Sequence, residues 1–320
     1  MTTFAALRTP LDADSRIIAI ALLLLVIALL RPTLPLPHDS YDYVVVFDIS
    51  QSMNVEDYEL DGTPVSRLAY ARDTVRRVLR DLPCGSRIGW GAFTGYRTVL
   101  LLAPVETCAN YADLLASLEK IDGRMRWSNA SEITKGLYWA VLAAQATDTQ
   151  PNVIFLTDGQ EAPPLDPVYP PRQLEELKGT PIRGWLIGTG SYTPSPIPRI
   201  DEEGRREGYW RADEVVQQAP STSNSDESPD ASPAVGEELS GLREAHLRTL
   251  ARQLGFEYTH LTGPQSLLAA LRNERFARRQ STATDLSWLP LGIAVALLAI
   301  RFRPELRRRP RRPAALPAQK

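Results

Sequence analysis

Cysteine and histidine are scarce in this 320-residue chain, with two of the first and three of the second. His38, His246 and His260 lie far apart with no ligand spacing. They read as structural or surface residues, so a zinc site of the His/Cys type is excluded. Neither G-x-S-x-G nor G-x-x-x-x-G-K-[ST] occurs, which removes a nucleophile elbow and a P-loop. "FDIS" resembles the start of an aspartate-nucleophile phosphatase motif, but Ser50 stands where the second aspartate would be the acid/base partner. "IGTGSY", with Gly188 and Gly190, reads as a strand-end turn and not a phosphate cradle. No repeat of fixed period is present. Long apolar runs are missing too: Ile17–Leu30 and Leu286–Ile300 have 14 and 15 residues, below the ~20 that normally span a hydrocarbon core.

Net charge is also small, at -2, but it hides a segregation. The tail from Arg301 onward carries +7, residues 1–31 carry +1, and the middle carries -10. The two apolar runs frame that acidic middle and are flanked by arginines that can snorkel, with Trp288 suited to an interfacial belt. A membrane accounts for the basic tail better than nucleic acid does. The first run reads as an uncleaved anchor, with a cleaved signal peptide as the alternative, since "RPTLPLP" offers no small-x-small site. The expected layout is a cytoplasmic N-terminus (1–16), transmembrane helices at 17–36 and 286–302, and an Arg-rich cytoplasmic tail (303–320). The positive-inside rule then places the middle in the periplasm of a bacterium, with the chain held in the inner membrane and both termini cytoplasmic.

Cys84 and Cys108 flank "SRIGWGAF" and "TVLLLAPV", which read as two strands of a hairpin joined at "TGYR". Their midpoint falls at Tyr96, inside that turn, which sets the two sulfurs opposite each other past the open end of the ladder. A disulfide is expected, suited to an oxidising compartment. Two unpaired small core residues are the alternative.

Between residues 40 and 272 strands alternate with helices. "YDYVVVFDIS", "NVIFLTDG", "IRGWLIGTG" and "FEYTHL" read as strands. "SRLAYARDTVRRVLRDL" (with Ser66 as the candidate N-cap), "NYADLLASLEKI", "ASEITKGLYWAVLAAQA", "PPRQLEELK", "ELSGLREAHLRTLARQLG" and "PQSLLAALRN" read as helices. The pattern predicts a mostly parallel α/β sheet with helices on both faces and one antiparallel edge strand from the hairpin. "IPRIDEEGRREGYWRADEV" reads as a hairpin excursion, and residues 219–238, rich in Ser, Pro and acid, as a disordered insertion.

In open parallel sheets ligands sit beyond the carboxyl ends of the strands. Asp48, Ser50 and Ser52 occupy that edge after one strand, and Asp158 of "TDG" occupies it after another. In extended backbone the alternate positions 48, 50 and 52 point to one side. Carboxylates and hydroxyls without His or Cys are hard oxygen ligands, suited to Mg²⁺ or Mn²⁺ and not to Zn²⁺. Glu56, Asp57, Glu132 and Glu161 nearby read as solvated loop charges.

D-x-S-x-S after a hydrophobic strand, followed later by a strand ending in T-D-G, resembles the metal-ion-dependent adhesion site of von Willebrand factor A (VWA) domains. The likeness covers about residues 40–272. It implies a Rossmann-like sheet and a Mg²⁺ held by Asp48, Ser50, Ser52 and Asp158, with a carboxylate from a partner protein completing the coordination. The second loop departs from the family pattern: "WSNASEITKGL" offers Ser131, five residues before Gly136, with Thr134 as its rival. Two anchors around one such domain resemble bacterial aerotolerance (BatA/BatB) proteins, and the texture of the two motifs resembles MxaL-like methanol-oxidation accessory proteins. The resemblance implies a binding protein and not an enzyme. It would act in assembly or maturation of a periplasmic enzyme such as methanol dehydrogenase, beside a MoxR-type AAA+ ATPase. A metal-dependent hydrolase, or an envelope protein with a vestigial site, is the alternative.

Overall fold

Residues 42–48 are buried on both faces, and this is the reason for the layered architecture seen in the computed structural model. The structure describes residues 13–166, 171–177, 179–217 and 236–302. They form two compact units, one drawn from the two ends of the chain and one spanning Asp39–Gln280.

The larger unit is built on a six-stranded sheet. In chain order its strands are β1 (Asp42–Asp48), β2 (Arg87–Thr94), β3 (Arg97–Glu106), β4 (Asn152–Thr157), β5 (Gly184–Gly188) and β6 (Glu257–His260). Their spatial order is β6-β5-β4-β1-β2-β3. All neighbours pair in parallel except β2 and β3, so β3 is the antiparallel edge. Helices α1 (Arg67–Leu79), α2 (Tyr111–Leu118) and α5 (Pro264–Leu271) cover one face. α3 (Ile133–Gln145) and α4 (Glu244–Leu254) cover the other. The alternation of side chains in β1 feeds both cores: Tyr43, Val45 and Phe47 pack on the first, Val44 and Val46 on the second. α3 lies very close to the sheet because Gly136 has no side chain; a Cβ there would meet the Phe93 ring at 2.2 Å.

The local signals explain most boundaries. The Ser66 hydroxyl accepts from the Ala69 N–H (3.2 Å) and opens α1. α4 stops at Gly255 in the left-handed region (φ 70°). The β2–β3 turn is Gly95–Tyr96, and Cys84 and Cys108 beyond the ladder's open end form a disulfide with Cα atoms 5.3 Å apart. Two elements differ from expectation. Residues 173–177 form a 3-10 turn where a helix was expected. α4 starts only at Glu244, because Leu239–Ser240 pairs as a short strand with Ser195–Pro196. The excursion is a hairpin, Pro198–Ile200 against Arg206–Tyr209. Most of the expected insertion at 219–238 lies outside the described residues, but Glu237 and Glu238 are ordered: the Gln160 amide donates to the Glu237 carbonyl (3.0 Å), and Glu238 O accepts from Ile197 N (3.1 Å).

In the smaller unit, helices Ala13–Leu29 and Trp288–Arg301 pack together, with Ala21 and Ala294 buried at their contact. Ile18, Leu22, Leu23, Leu291, Ile293 and Val295 are exposed. Among the described residues, no helix is long and apolar enough to cross a membrane. The two expected spans fall on helices shorter than that. At ~1.5 Å per residue the 17- and 14-residue helices cover about 26 and 21 Å, against ~30 Å of hydrocarbon. The first was expected to reach residue 36. It ends earlier, at Leu29, because Arg31 turns into the left-handed region (φ 46°) and Pro32 cannot continue the helix. Residues Thr33–Ser40 become a strand paired with Arg278–Asp285. The N-terminal segment up to residue 12 and the tail from 303 lie outside the described residues.

Candidate metal centre

β1 and β4 run side by side with Phe47 opposite Leu156, so Asp48 and the Thr157–Asp158 pair emerge together at the sheet's carboxyl edge. Asp48 is fully buried, and both its oxygens are engaged. Oδ1 accepts from the Ser50 N–H (2.9 Å), and Oδ2 accepts from the Thr157 hydroxyl (2.7 Å). The first contact turns the chain sharply, in the manner of an Asx turn. Gln51–Asn54 then coils into a 3-10 turn. The Ser50 and Ser52 hydroxyls lie 3.2 Å apart. Their convergence thus comes from a turn and not from extended alternation, which corrects the reason given by the sequence while keeping the residues together.

Ser131 arrives from the loop before α3. It is clamped by reciprocal backbone bonds with Ala162 (2.7 and 2.8 Å). Its hydroxyl is buried and has no hydrogen-bond partner. The rival Thr134 is used elsewhere: its hydroxyl donates to Glu161 Oε1 (3.3 Å). Ser50, Ser52 and Ser131 line one cavity of about 280 Å³. Asp48 and Asp158 are fully buried and are not part of its wall.

Asp158 is held by a network that the sequence did not disclose. Its Oδ1 accepts from the Gln160 N–H (3.0 Å), while Oδ2 accepts from Arg67 Nη1 (2.7 Å) and the Ser240 hydroxyl (3.0 Å). The Arg67 side chain is completely buried and also donates to Asp57 Oδ2 (2.7 Å) and the Ser240 carbonyl (3.0 Å). Gly190 makes room for it; with φ 113°, a Cβ there would lie 2.6 Å from Arg67 Nε. A signal was available: Arg67, Ala71, Thr74 and Val78 share the buried face of α1 at helical spacing.

Two of the acids read as solvated prove to be structural. Asp57 is the second partner of Arg67, and Glu161 caps α3 by accepting from the Ile133 N–H (2.8 Å), with His246 Nε2 3.0 Å away. Glu56 and Glu132 do pair at the surface, with Arg206 and Lys135.

Burial, and then the neighbouring Asp158, push the Asp48 carboxyl up to about 7, against the lowering effect of its Ser50 and Thr157 hydrogen bonds. Burial alone would lower Arg67, but Asp158 and Asp57 outweigh it and hold the guanidinium charged. Among the described residues, no group of three or more His, Cys, Asp or Glu is placed to hold a metal. The donor set here is of another kind, two carboxylates and three serine hydroxyls, all oxygen. An orphaned buried hydroxyl within a hard-oxygen set fits a small divalent cation.

Residues 43–160 match the von Willebrand factor type A domain family. The chain is 26% identical over 195 residues to a UPF0353 protein of Mycobacterium bovis, covering 58% of this chain and 56% of that one. It is 29% identical over 185 residues to a UPF0353 protein of Mycolicibacterium paratuberculosis, covering 53% and 52%. It therefore spans about half the length of the curated relatives it matches. Among solved structures, an aerotolerance-related membrane protein of Bacteroides fragilis superposes with a TM-score of 0.50 at 18% identity, over 73% of this chain and 98% of that one. BatB of Bacteroides thetaiotaomicron gives 0.49 at 19%, over 72% and 95%. The paired strand-end motifs and the sheet order agree with the match of residues 43–160 to the von Willebrand factor type A domain family.

Proposed function

We propose that this chain is a membrane-associated protein-binding module that acts through a divalent cation, Mg²⁺ or Mn²⁺, at the sheet's carboxyl edge. The observation that carries the reading is the convergence of Ser50, Ser52 and the unpartnered Ser131 hydroxyl on one cavity above two buried carboxylates. Ser50, Ser52 and Ser131 would hold the ion, and Asp48 and Asp158, whose oxygens are engaged by the protein, would act from behind them. When bound, the cation offers a coordination position to a carboxylate from another protein. The chain's own residues do the rest. Thr157 and the Ser50 N–H fix the Asp48 carboxyl, the Ala162 clamp fixes Ser131, and Arg67 holds Asp158 in place.

Membrane association is supported by the terminal helix pair, in which the small Ala21 and Ala294 are buried while large apolar side chains are exposed. The Bacteroides fragilis protein of like fold is itself named a membrane protein. The basic tail, by the positive-inside rule, supports a layout with both termini in the cytoplasm and the domain in the periplasm. The role is assembly or maturation of a periplasmic enzyme or complex. Methanol dehydrogenase, with a MoxR-type ATPase on the cytoplasmic side, is the candidate that the motif texture nominates.

Pull-downs with the full chain, with and without EDTA and with Asp48→Ala, test the reading. Partner recovery should be lost in both treatments; recovery indifferent to both refutes it.

A further inference from the structure

The cavity that begins at the three serines continues along an apolar wall. That wall is made by Pro163 and Pro164 after β4 and by Ile197, Trp210, Val215 and Val216 of the excursion. The excursion is fixed in place beside the serines. Gln51, between Ser50 and Ser52, donates through Nε2 to the Ile200 carbonyl (3.1 Å) and accepts the Ile200 N–H (3.3 Å). Its return limb is tied down where Gln160 Nε2 donates to the Glu237 carbonyl (3.0 Å).

Charge narrows what can enter. No lysine, arginine or histidine lines the cavity among the described residues. The two wall acids of the excursion, Glu214 and Glu237, are engaged by Arg199 (3.1 Å) and Arg243 (3.5 Å). An incoming carboxylate therefore finds attraction only at a cation held by the serines, and a second carboxylate would face apolar surface and Glu161, Glu214 and Glu237. Val216 is 66% exposed on the wall, and an exposed apolar side chain beside a concave apolar surface gains by being covered. Gln160 Oε1 is buried without a partner, which leaves an acceptor for one N–H of the occupant.

Resting on the metal-dependent reading above, we infer that this wall is a specificity subsite. It selects partner segments in which a single acidic residue is followed or preceded, within two positions, by a bulky aliphatic or aromatic residue. The acid goes to the serine end, and the apolar side chain goes between Trp210, Val216 and the Pro163–Pro164 pair.

The test is fluorescence anisotropy with the full chain in detergent and labelled hexapeptides. Each peptide carries one Glu and either Leu, Phe or Ala at one of the four positions around it, and one further peptide carries a second Glu. All are measured in Mn²⁺ and in EDTA. Leu or Phe at the favoured position should tighten metal-dependent binding about tenfold or more over Ala. The second Glu should weaken it, and Val216→Glu, on an exposed position, should erase the apolar gain. If the Leu, Phe and Ala peptides bind within twofold of one another in Mn²⁺, or if Val216→Glu keeps the gain, the subsite is wrong while the metal reading stands. If no peptide responds to EDTA, the metal reading fails and the subsite fails with it.

Discussion

Replacing Arg67 by methionine removes a guanidinium with no solvent exposure that is shared by Asp158 and Asp57, whose side chains are 0% and 8% exposed. Methionine fills much of the volume, so the loss is electrostatic and not a cavity. Two carboxylates are left without a cation, and Ser240 loses two contacts with the guanidinium. Breaking one buried ion pair from one side costs about 3–5 kcal/mol, and a guanidinium serving two acids belongs at the upper end. For a domain of this size each kcal/mol moves the melting midpoint by about 2–4 °C, so the variant should melt about 10–20 °C lower. The assay is far-UV circular dichroism on heating, in EDTA. Arg67→Met/Asp57→Asn, which removes one of the two orphaned charges, should recover part of the loss, making the pair non-additive. A midpoint within about 2 °C of the parent, or strictly additive effects, would refute the buried network as the anchor of Asp158.

Asp48 gives a pH signature. Its carboxyl is raised in the folded protein to about 7 from 3.8, so the native state holds a proton that the unfolded chain releases. Stability in EDTA should therefore fall as pH rises between those values, at up to about 1.4 kcal/mol per pH unit. Asp48→Asn should flatten that slope in urea titrations at pH 5 and 8. The same proton competes with a cation, so Mn²⁺ affinity by calorimetry should be weaker at pH 5.5 than at pH 7.5. Ser131→Ala should weaken Mn²⁺ binding about tenfold or more while leaving the melting midpoint nearly unchanged, because its hydroxyl has no protein partner to lose. Thr134→Ala should leave Mn²⁺ affinity within about twofold, since its hydroxyl serves Glu161. Removing the disulfide by Cys84→Ala/Cys108→Ala opens a loop with a sequence separation of 24 and should cost about 3–4 kcal/mol in urea unfolding.

The parallel sheet was legible because β1 and β4 are apolar on both faces and end abruptly in polar residues, a pattern that two-sided burial imposes. The hairpin was legible from Gly95 and the spacing of the cysteines. Asp48, Ser50, Ser52 and Asp158 could be picked out because strand ends are where such a sheet gathers ligands. Arg67 could not be picked out by chemistry alone, since an arginine near a helix start is usually solvated. Only its place on the apolar face of α1 betrayed it. Ser240 was beyond reach because nothing local in "EELSGL" announces a short strand, and its partner Ser195 lies 45 residues away across the excursion. The choice between Ser131 and Thr134 needed the position of Glu161, which is a tertiary fact. The terminal helices were legible in place but not in length, because Pro32 and the strand after it belong to the fold and not to the apolar run.

The hydroxyls that converge on the cavity come from loops of the sheet, whereas much of the apolar wall comes from the excursion between Ser191 and Ser240. On the proposed reading, affinity for a cation and choice of binding partner are encoded in separate stretches of the chain. Exchanging the tip of that excursion would redirect the protein to a new client without touching the sheet edge, as long as the Gln51–Ile200 docking and the Ser240 foothold survive the exchange.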